Sequence, residues 1–471
     1  MRHLITSTTQ WIRNRPAAKP LVMTLLIAGV VRAIALWLPP YVFPDSPGYL
    51  DLGYCLWKLQ FAGCNGMRTP VYPLFLVLAG ENLYVVRLLQ HLLGIAIAAM
   101  LFAMVYRRTR STSFALVAGA LYGVDLSQLF LERSILSETL CTFLLTLSAL
   151  VFQWIVLERK FGRRQYAVLG TLAGLTGLTR PMYAYLAPLY LVLIPIEPSR
   201  SLAVAREVRA QRAARLTAFA TPAGGLLLGW CLFNWLNIGY FGLSTEIGFS
   251  LLNHSGAFIE LAPDKYAAIR DPYLKSRALQ MAANGSHVNA IFRVEEEIEK
   301  RTGYNQLQLL RELTKMSLEL FAAHPMLYAQ GVMRGWLGFW RPPLFRGKPF
   351  LGGPLQNALD VPRPRAGVLE RSFVAIGLRE IRVLLWVNLI FLAAAVWIGT
   401  RFMARREPWG FDLSAIAIVL AASLGQAMVE FGDASRFSVP TAPLVLYAVI
   451  VSSWRVLRTS TPASESEPRQ A

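Results

Sequence analysis

Apolar runs of about 20 residues recur along this chain, and each is long enough to cross a bilayer core. That recurrence constrains the fold more than any other feature. In hydrocarbon every backbone polar group must be satisfied within the protein, so a chain of such runs becomes a set of helices. By length and hydropathy we read about ten spans, near 20–38, 83–106, 112–131, 138–157, 166–179, 182–196, 216–237, 381–400, 412–430 and 437–454. The fold class expected is an all-α polytopic membrane protein. Composition agrees: 16% of residues are charged, against about 25% in soluble domains. The run 21–38 exceeds a signal-peptide core and lacks a small-residue cleavage site, so it reads as a retained first span.

The net charge is +19, yet it is not a nucleic-acid footprint. Lys and Arg fall in short segments between apolar runs, which is how topology is set. The segments RRTR (107–110), ERKFGRR (158–164), 200–215, RFMARRE (401–407) and RVLR (455–458) all fall on the side of the amino terminus. By the positive-inside rule that side is cytoplasmic. The organisation expected is a transmembrane module over 1–237 with a first outer loop at 39–82, an outer cap over 238–380, C-terminal spans over 381–458, and a disordered cytoplasmic tail at 459–471.

The first outer loop opens with FPDSPGYLDLGYCLW (43–57). Ser46 followed by Pro47 is a helix start signal. Leu50, Tyr54, Trp57 and Phe61 then recur at helical spacing, which suggests a helix lying along the membrane surface. In the cap, 294–325 is amphipathic with a break at Gly303, and 326–340 has the aromatic content of an interfacial segment.

No His or Cys spacing resembles a metal cluster, and no phosphate loop or nucleophile elbow is present. The charges on the outer side remain. Asp45 is either a helix-start acid or a catalytic carboxylate. Asp51 is either a solvated surface acid or part of a substrate site. Glu138 reads as the start of a helix capped by Ser137, or as a site acid. Arg68, Arg180 and Arg436 run against the positive-inside rule, and charges at membrane depth usually face a cavity or a partner. Together they would hold an anionic group beside a carboxylate. That suits a lipid phosphate as leaving group and a hydroxyl to be deprotonated.

Cys55 and Cys64 share the first outer loop, whereas Cys141 and Cys231 fall inside spans. An oxidising compartment allows a Cys55–Cys64 bridge, with Phe61-Ala62-Gly63 supplying the reversal; the alternative is two unpaired thiols on an interfacial helix.

The motifs PDSPGYLDLG, RTPVYPLFL, LSETL, GLTRP, AAHPMLYAQ and SRFSVPTAP occur in an order that resembles the polyprenyl-phosphate-dependent glycosyltransferases of the GT-C fold. These are the family 39-like relatives of the protein O-mannosyltransferases and lipid A aminoarabinose transferases. The resemblance implies a GT-C fold and transfer of a hexosyl or pentosyl group on the outer face. The donor would be a polyprenyl-phosphate sugar, the acceptor a hydroxyl on a glycan, lipid or protein. It implies that Asp45 is the carboxylate at the catalytic centre, that Arg68 contacts the donor phosphate, and that Arg180 and Arg436 match the family's basic motifs. Asp45 is followed by Ser46 rather than a second acid, so Asp51 need not be catalytic. Asp51, Tyr72 and Glu138 are further candidates for substrate binding. Phe437 stands where the family often has Tyr, so a role for that hydroxyl is absent. No cofactor is implied with certainty, although one divalent metal ion on Asp45 stays open. A single displacement would invert the anomeric centre. The localisation expected is a bacterial inner membrane with the site facing the periplasm. The competing reading is a transporter or flippase of lipid-linked sugars, and a structural assembly subunit is third. The absence of a detectable inverted repeat weighs against a transporter.

Overall fold

The computed structural model describes residues 16–61, 64–158, 162–194, 202–343, 368–404, 410–432 and 434–460. Residues 459–460 of the expected disordered tail are helical, whereas 461–471, the reversal at Ala62-Gly63 and the 344–367 stretch of the cap lie outside the described residues.

The described chain is helical, and its one pairing of β type is an isolated bridge between Tyr41 and Ser134. In order the helices are α1 (Ala18–Ala35), α2 (Ser46–Lys58), α3 (Val71–Leu78), α4 (Leu83–Thr109), α5 (Thr112–Val124), α6 (Leu126–Glu132), α7 (Glu138–Glu158), α8 (Arg163–Thr179), α9 (Leu186–Leu193) and α10 (Leu202–Ile238). They continue as α11 (Ile247–Ser255), α12 (Ala267–Asn284), α13 (Glu295–Thr302), α14 (Gln306–Ala323), α15 (Pro325–Phe339), α16 (Val368–Met403), α17 (Phe411–Val429), α18 (Ala434–Phe437) and α19 (Ala442–Ser460).

Among the described residues seven helices are long and apolar enough to cross a membrane, and an eighth span results if α5 and α6 are counted as one. The protein is thus an all-α, multi-pass membrane protein, and its described residues hold fewer full-length spans than the ten read from hydropathy. Two differences have local causes. The run 112–131 is not straight: α5 and α6 meet at a 52° bend. Asp125 restarts the helix there, its Oδ1 accepting from the Gln128 amide at 3.1 Å, as an N-cap does. The run 182–196 is a short 3₁₀ turn over Pro181–Tyr185 followed by the 8-residue α9.

Two cores organise the chain. The membrane core joins α4, α7, α9, α17 and α19 through residues such as Leu101, Leu145, Phe152, Tyr190, Val419 and Tyr447. The second core is built from the cap: Phe249, Leu252, Tyr273, Leu309, Leu313, Met316 and Leu320 are all buried in it. α14 supplies a heptad-like stripe to that core, and its start is a capping box between Asn305 and Gln308. Gly303, at φ +69°, separates it from α13, a conformation glycine adopts without steric cost.

Polar ties mark one end of the bundle and its interior. At one end Asp412 of α17 receives Arg108 of α4 (2.9 Å), Arg455 of α19 and the Tyr447 hydroxyl (2.6 Å). Deeper in the bundle Glu132 receives Arg32 of α1 at 2.6 Å and faces His91 of α4 at 2.8 Å. All three side chains are buried, so the charges of Arg32 and Glu132 depend on each other. Gly94 makes room for them, because a Cβ there would fall 2.0 Å from Glu132 Oε1.

Candidate active site

The first outer loop is fixed by backbone pairing. Tyr41 donates to the Arg133 carbonyl at 2.8 Å, and Ile135 donates back to Tyr41 at 2.9 Å. Ser46 does not cap α2. Its hydroxyl accepts from the Phe43 amide and donates to the Ile135 carbonyl, both at 2.9 Å. These bonds carry residues 41–46 across the start of α7 and bring Asp45 beside Glu138.

Asp45 occupies the N-cap position of α2 but makes no side-chain cap bond. Capping of the helix therefore does not account for it. Its two carboxylate oxygens instead receive two guanidiniums. Arg68 donates to Oδ1 at 3.0 Å, and Arg436 donates to Oδ2 at 2.8 Å. Arg436 also lies 2.8 Å from Glu138, through Nε, and Arg180 lies 2.7 Å from the same Glu138 oxygen. Arg68 reaches in the other direction to Glu246 Oε2 at 3.0 Å. The result is one alternating chain of charges: Glu246, Arg68, Asp45, Arg436, Glu138, Arg180. Three cations and three anions come from six separate stretches of sequence.

Aromatic rings line this chain. The Arg68 guanidinium carbon sits 4.9 Å from the Tyr49 ring centroid. Phe437 lies 4.7 Å from Arg180 and 5.5 Å from Arg436. Such contacts stabilise a cation without neutralising it. Tyr49 is held by a hydroxyl contact of 3.1 Å to Ser137. Gly48 leaves the space that Arg68 fills, since a Cβ there would come 3.2 Å from Nε.

Exposure varies along the chain of charges. The side chain of Glu138 is fully buried, while those of Asp45 and Glu246 are 27% and 35% exposed. Burial would raise the Asp45 carboxyl, but Arg436 and Arg68 outweigh it and hold it down at about 2. Glu246 differs: burial pushes it up, and the attraction of Arg68 offsets only part of that push.

Asp45, Arg68, Glu138, Arg180 and Arg436 are thus brought together, whereas two other candidates are not. Asp51 is exposed on α2, six residues beyond Asp45 and away from the arginines. Tyr72 is fully buried, with its hydroxyl on Gln90 Oε1 at 3.0 Å and its ring edge-on to Tyr49. It supports the wall rather than facing the charges. Glu246 and Tyr49 were not foreseen. Glu246 precedes α11 immediately, in a cap where nothing in the local pattern sets it apart from other acids.

The site is a poor fit for a divalent cation. Both Asp45 oxygens are engaged by guanidiniums, and three arginines surround the position. Among the described residues no group of three or more His, Cys, Asp or Glu is arranged to hold a metal ion.

Cys55 and Cys64 form a disulfide that ties α2 to the stretch leading to Arg68. Cys55→Ala is expected to lower the melting temperature of the purified protein. By loop-closure entropy a bridge of this span contributes about 2–4 kcal/mol. Mass spectrometry of non-reduced digests checks the bond itself; alkylatable Cys55 and Cys64 in protein from its native compartment would remove it from the account.

Residues 54–194 match the family model for dolichyl-phosphate-mannose-protein mannosyltransferase. Over that stretch the chain is similar to the protein mannosyltransferases. The match contains Arg68, Tyr72, Glu138 and Arg180, and it agrees with the GT-C resemblance read from the motifs. Asp45, Glu246 and Arg436 lie outside it. A solved structure of ArnT from Cupriavidus metallidurans bound to undecaprenyl phosphate is 12% identical, with a TM-score of 0.35, covering 94% of this chain and 78% of that chain. No curated protein matches the sequence significantly.

Proposed function

We propose that this protein transfers a sugar from a polyprenyl-phosphate donor to a hydroxyl acceptor, at the outer face of a bacterial inner membrane. The observation that carries the proposal is the convergence of Arg68, Arg180 and Arg436 on Asp45 and Glu138 at one end of the bundle. A lipid phosphate arriving at that end meets guanidiniums that bind phosphate oxygens in a planar fork. The similarity of residues 54–194 to dolichyl-phosphate-mannose-dependent enzymes supports the donor class.

The chemistry is a single displacement. The acceptor oxygen bonds to the anomeric carbon, and the bond from that carbon to the phosphate oxygen breaks. The acceptor proton passes to Asp45, and the released phosphate charge is stabilised by Arg68 and Arg436. Asp45 is a weak base while two arginines clamp it. A bound phosphate shares those guanidiniums and weakens the clamp, and proton transfer comes late, as the hydroxyl acidifies in the transition state. Attack opposite the leaving group inverts the anomeric centre.

The disulfide supports the sidedness. It lies in the loop that carries Asp45 and Arg68, and disulfides persist in oxidising compartments such as the bacterial periplasm. The basic segments RRTR and RVLR lie at the opposite end, near Asp412, as expected of a cytoplasmic face.

The test uses full-length protein in sealed vesicles. A panel of radiolabelled undecaprenyl-phosphate sugars, hexoses and pentoses, is supplied with envelope extract as the source of acceptors. The proposal expects label from one donor to enter acceptor material. Label that crosses the vesicle without leaving its lipid would identify a flippase instead.

A further inference from the structure

Every arginine of the site already has a carboxylate partner, so a donor phosphate competes with those carboxylates for the guanidiniums. The three carboxylates are not equally exchangeable. Glu138 is fully buried and lies against both Arg180 and Arg436. Asp45 is held at both oxygens, by Arg68 and Arg436. Glu246 has one guanidinium partner, Arg68, and its side chain is the most exposed of the three. Displacing it breaks the fewest charge-assisted contacts.

The backbone under Glu246 does not have to move for this. Thr245 donates its amide to the Gly66 carbonyl at 3.1 Å and its hydroxyl to the Asn65 carbonyl at 2.9 Å. Ser244 donates its hydroxyl to the Met67 carbonyl at 2.6 Å and accepts from the Glu246 amide at 3.1 Å. The cap segment 244–246 is thereby stitched to residues 65–67, next to Arg68. A rotation of the side chain alone releases the carboxylate. It is also the one carboxylate of the network contributed by the cap, the part of the chain placed to meet an acceptor.

Given the donor site proposed above, we infer that Glu246 is the exchangeable counter-ion of Arg68, and that donor phosphate releases it to position the acceptor hydroxyl. Binding is then ordered. Donor enters first, takes Arg68, and frees an anionic hydrogen-bond acceptor on the cap side of the anomeric carbon. Without donor that group stays paired and offers the acceptor nothing. Asp45 keeps its role as proton acceptor, and Glu246 acts as a positioning residue.

The experiment compares wild type, Glu246→Gln, Arg68→Ala and the double variant, each as full-length protein in nanodiscs. Native mass spectrometry measures affinity for undecaprenyl phosphate, and the labelled-donor panel measures transfer. Removing a competing anion from a cationic site should tighten undecaprenyl phosphate binding by roughly three- to tenfold. A misfolded variant would not bind more tightly. In the double variant the gain should vanish, because it depends on Arg68. Transfer by Glu246→Gln should fall at least about tenfold despite the tighter binding. Unchanged or weaker binding in Glu246→Gln would overturn the inference. So would a gain that persists without Arg68, or unimpaired transfer. Failure of wild type itself to bind undecaprenyl phosphate is a separate result, and it would overturn the donor site along with this role for Glu246.

Discussion

Asp45→Asn lowers sugar transfer by about 10²- to 10⁴-fold, the usual contribution of a positioned acid–base group. Undecaprenyl phosphate binding is not weakened, because the amide removes a competing charge and leaves Arg68 and Arg436 in place. Steady-state transfer and native mass spectrometry on the same preparation separate the two effects. Near-wild-type turnover would remove Asp45 from the chemistry. The pH dependence follows from the same clamp. A carboxyl held at about 2 stays ionised throughout the neutral and mildly acidic range. Its contribution to stability is fully present above its ordinary value and is lost only as pH falls through about 2. An acidic limb above about pH 4 in kcat/KM, which reports the enzyme without donor, therefore belongs to another group, and Glu246, pushed up by burial, is the site carboxylate placed to supply it.

Arg436→Ala weakens undecaprenyl phosphate binding by about 10- to 100-fold, the range expected when a charge-assisted contact is lost. The effect is larger than a surface arginine would show. Arg436 holds Asp45 at 2.8 Å and lies 2.8 Å from the fully buried Glu138. Without it Glu138 keeps only Arg180 within this chain of charges, so folding is strained along with binding. Arg436→Lys distinguishes the causes. It keeps the charge but loses the planar fork that spans two carboxylates. Recovery of stability without recovery of affinity is the expected outcome, read by thermal melting alongside binding. Unchanged affinity in Arg436→Ala would mean that the phosphate lies elsewhere.

Much of this cluster of charges, the candidate site, was legible in the sequence because the charges stood where charges are costly. Arg68, Arg180 and Arg436 each border an apolar run on the side that topology keeps poor in basic residues. Asp45 and Glu138 sit at helix starts on that same side. What the one-dimensional pattern cannot carry is the partner supplied by the cap. Glu246 reaches Arg68 because residues 244–246 are hydrogen-bonded to residues 65–67, almost 180 positions away in the chain. Asp51 stands apart from this cluster for the opposite reason. It shares a motif with Asp45, but six residues along a helix turn it to another face.

Helix bounds show the same division. Hydropathy located the membrane-crossing parts of α10 and α16 but missed their extensions. α10 begins at Leu202, in a stretch rich in Ala and Arg that is strongly helix-forming yet not apolar. α16 begins at Val368, within what composition placed in the cap. The bend between α5 and α6 was hidden by the apolar residues on both sides of Asp125. A carboxylate after Gly123-Val124, followed three residues later by Gln128, was the available signal.

The most direct test of the account is a structure of this protein with undecaprenyl phosphate bound. The account predicts a phosphate within hydrogen-bond distance of Arg68 and Arg436, the Glu246 carboxylate turned away from Arg68, and Asp45 facing the open side of the phosphate. A phosphate held elsewhere, with the chain from Glu246 to Arg180 intact, would contradict it.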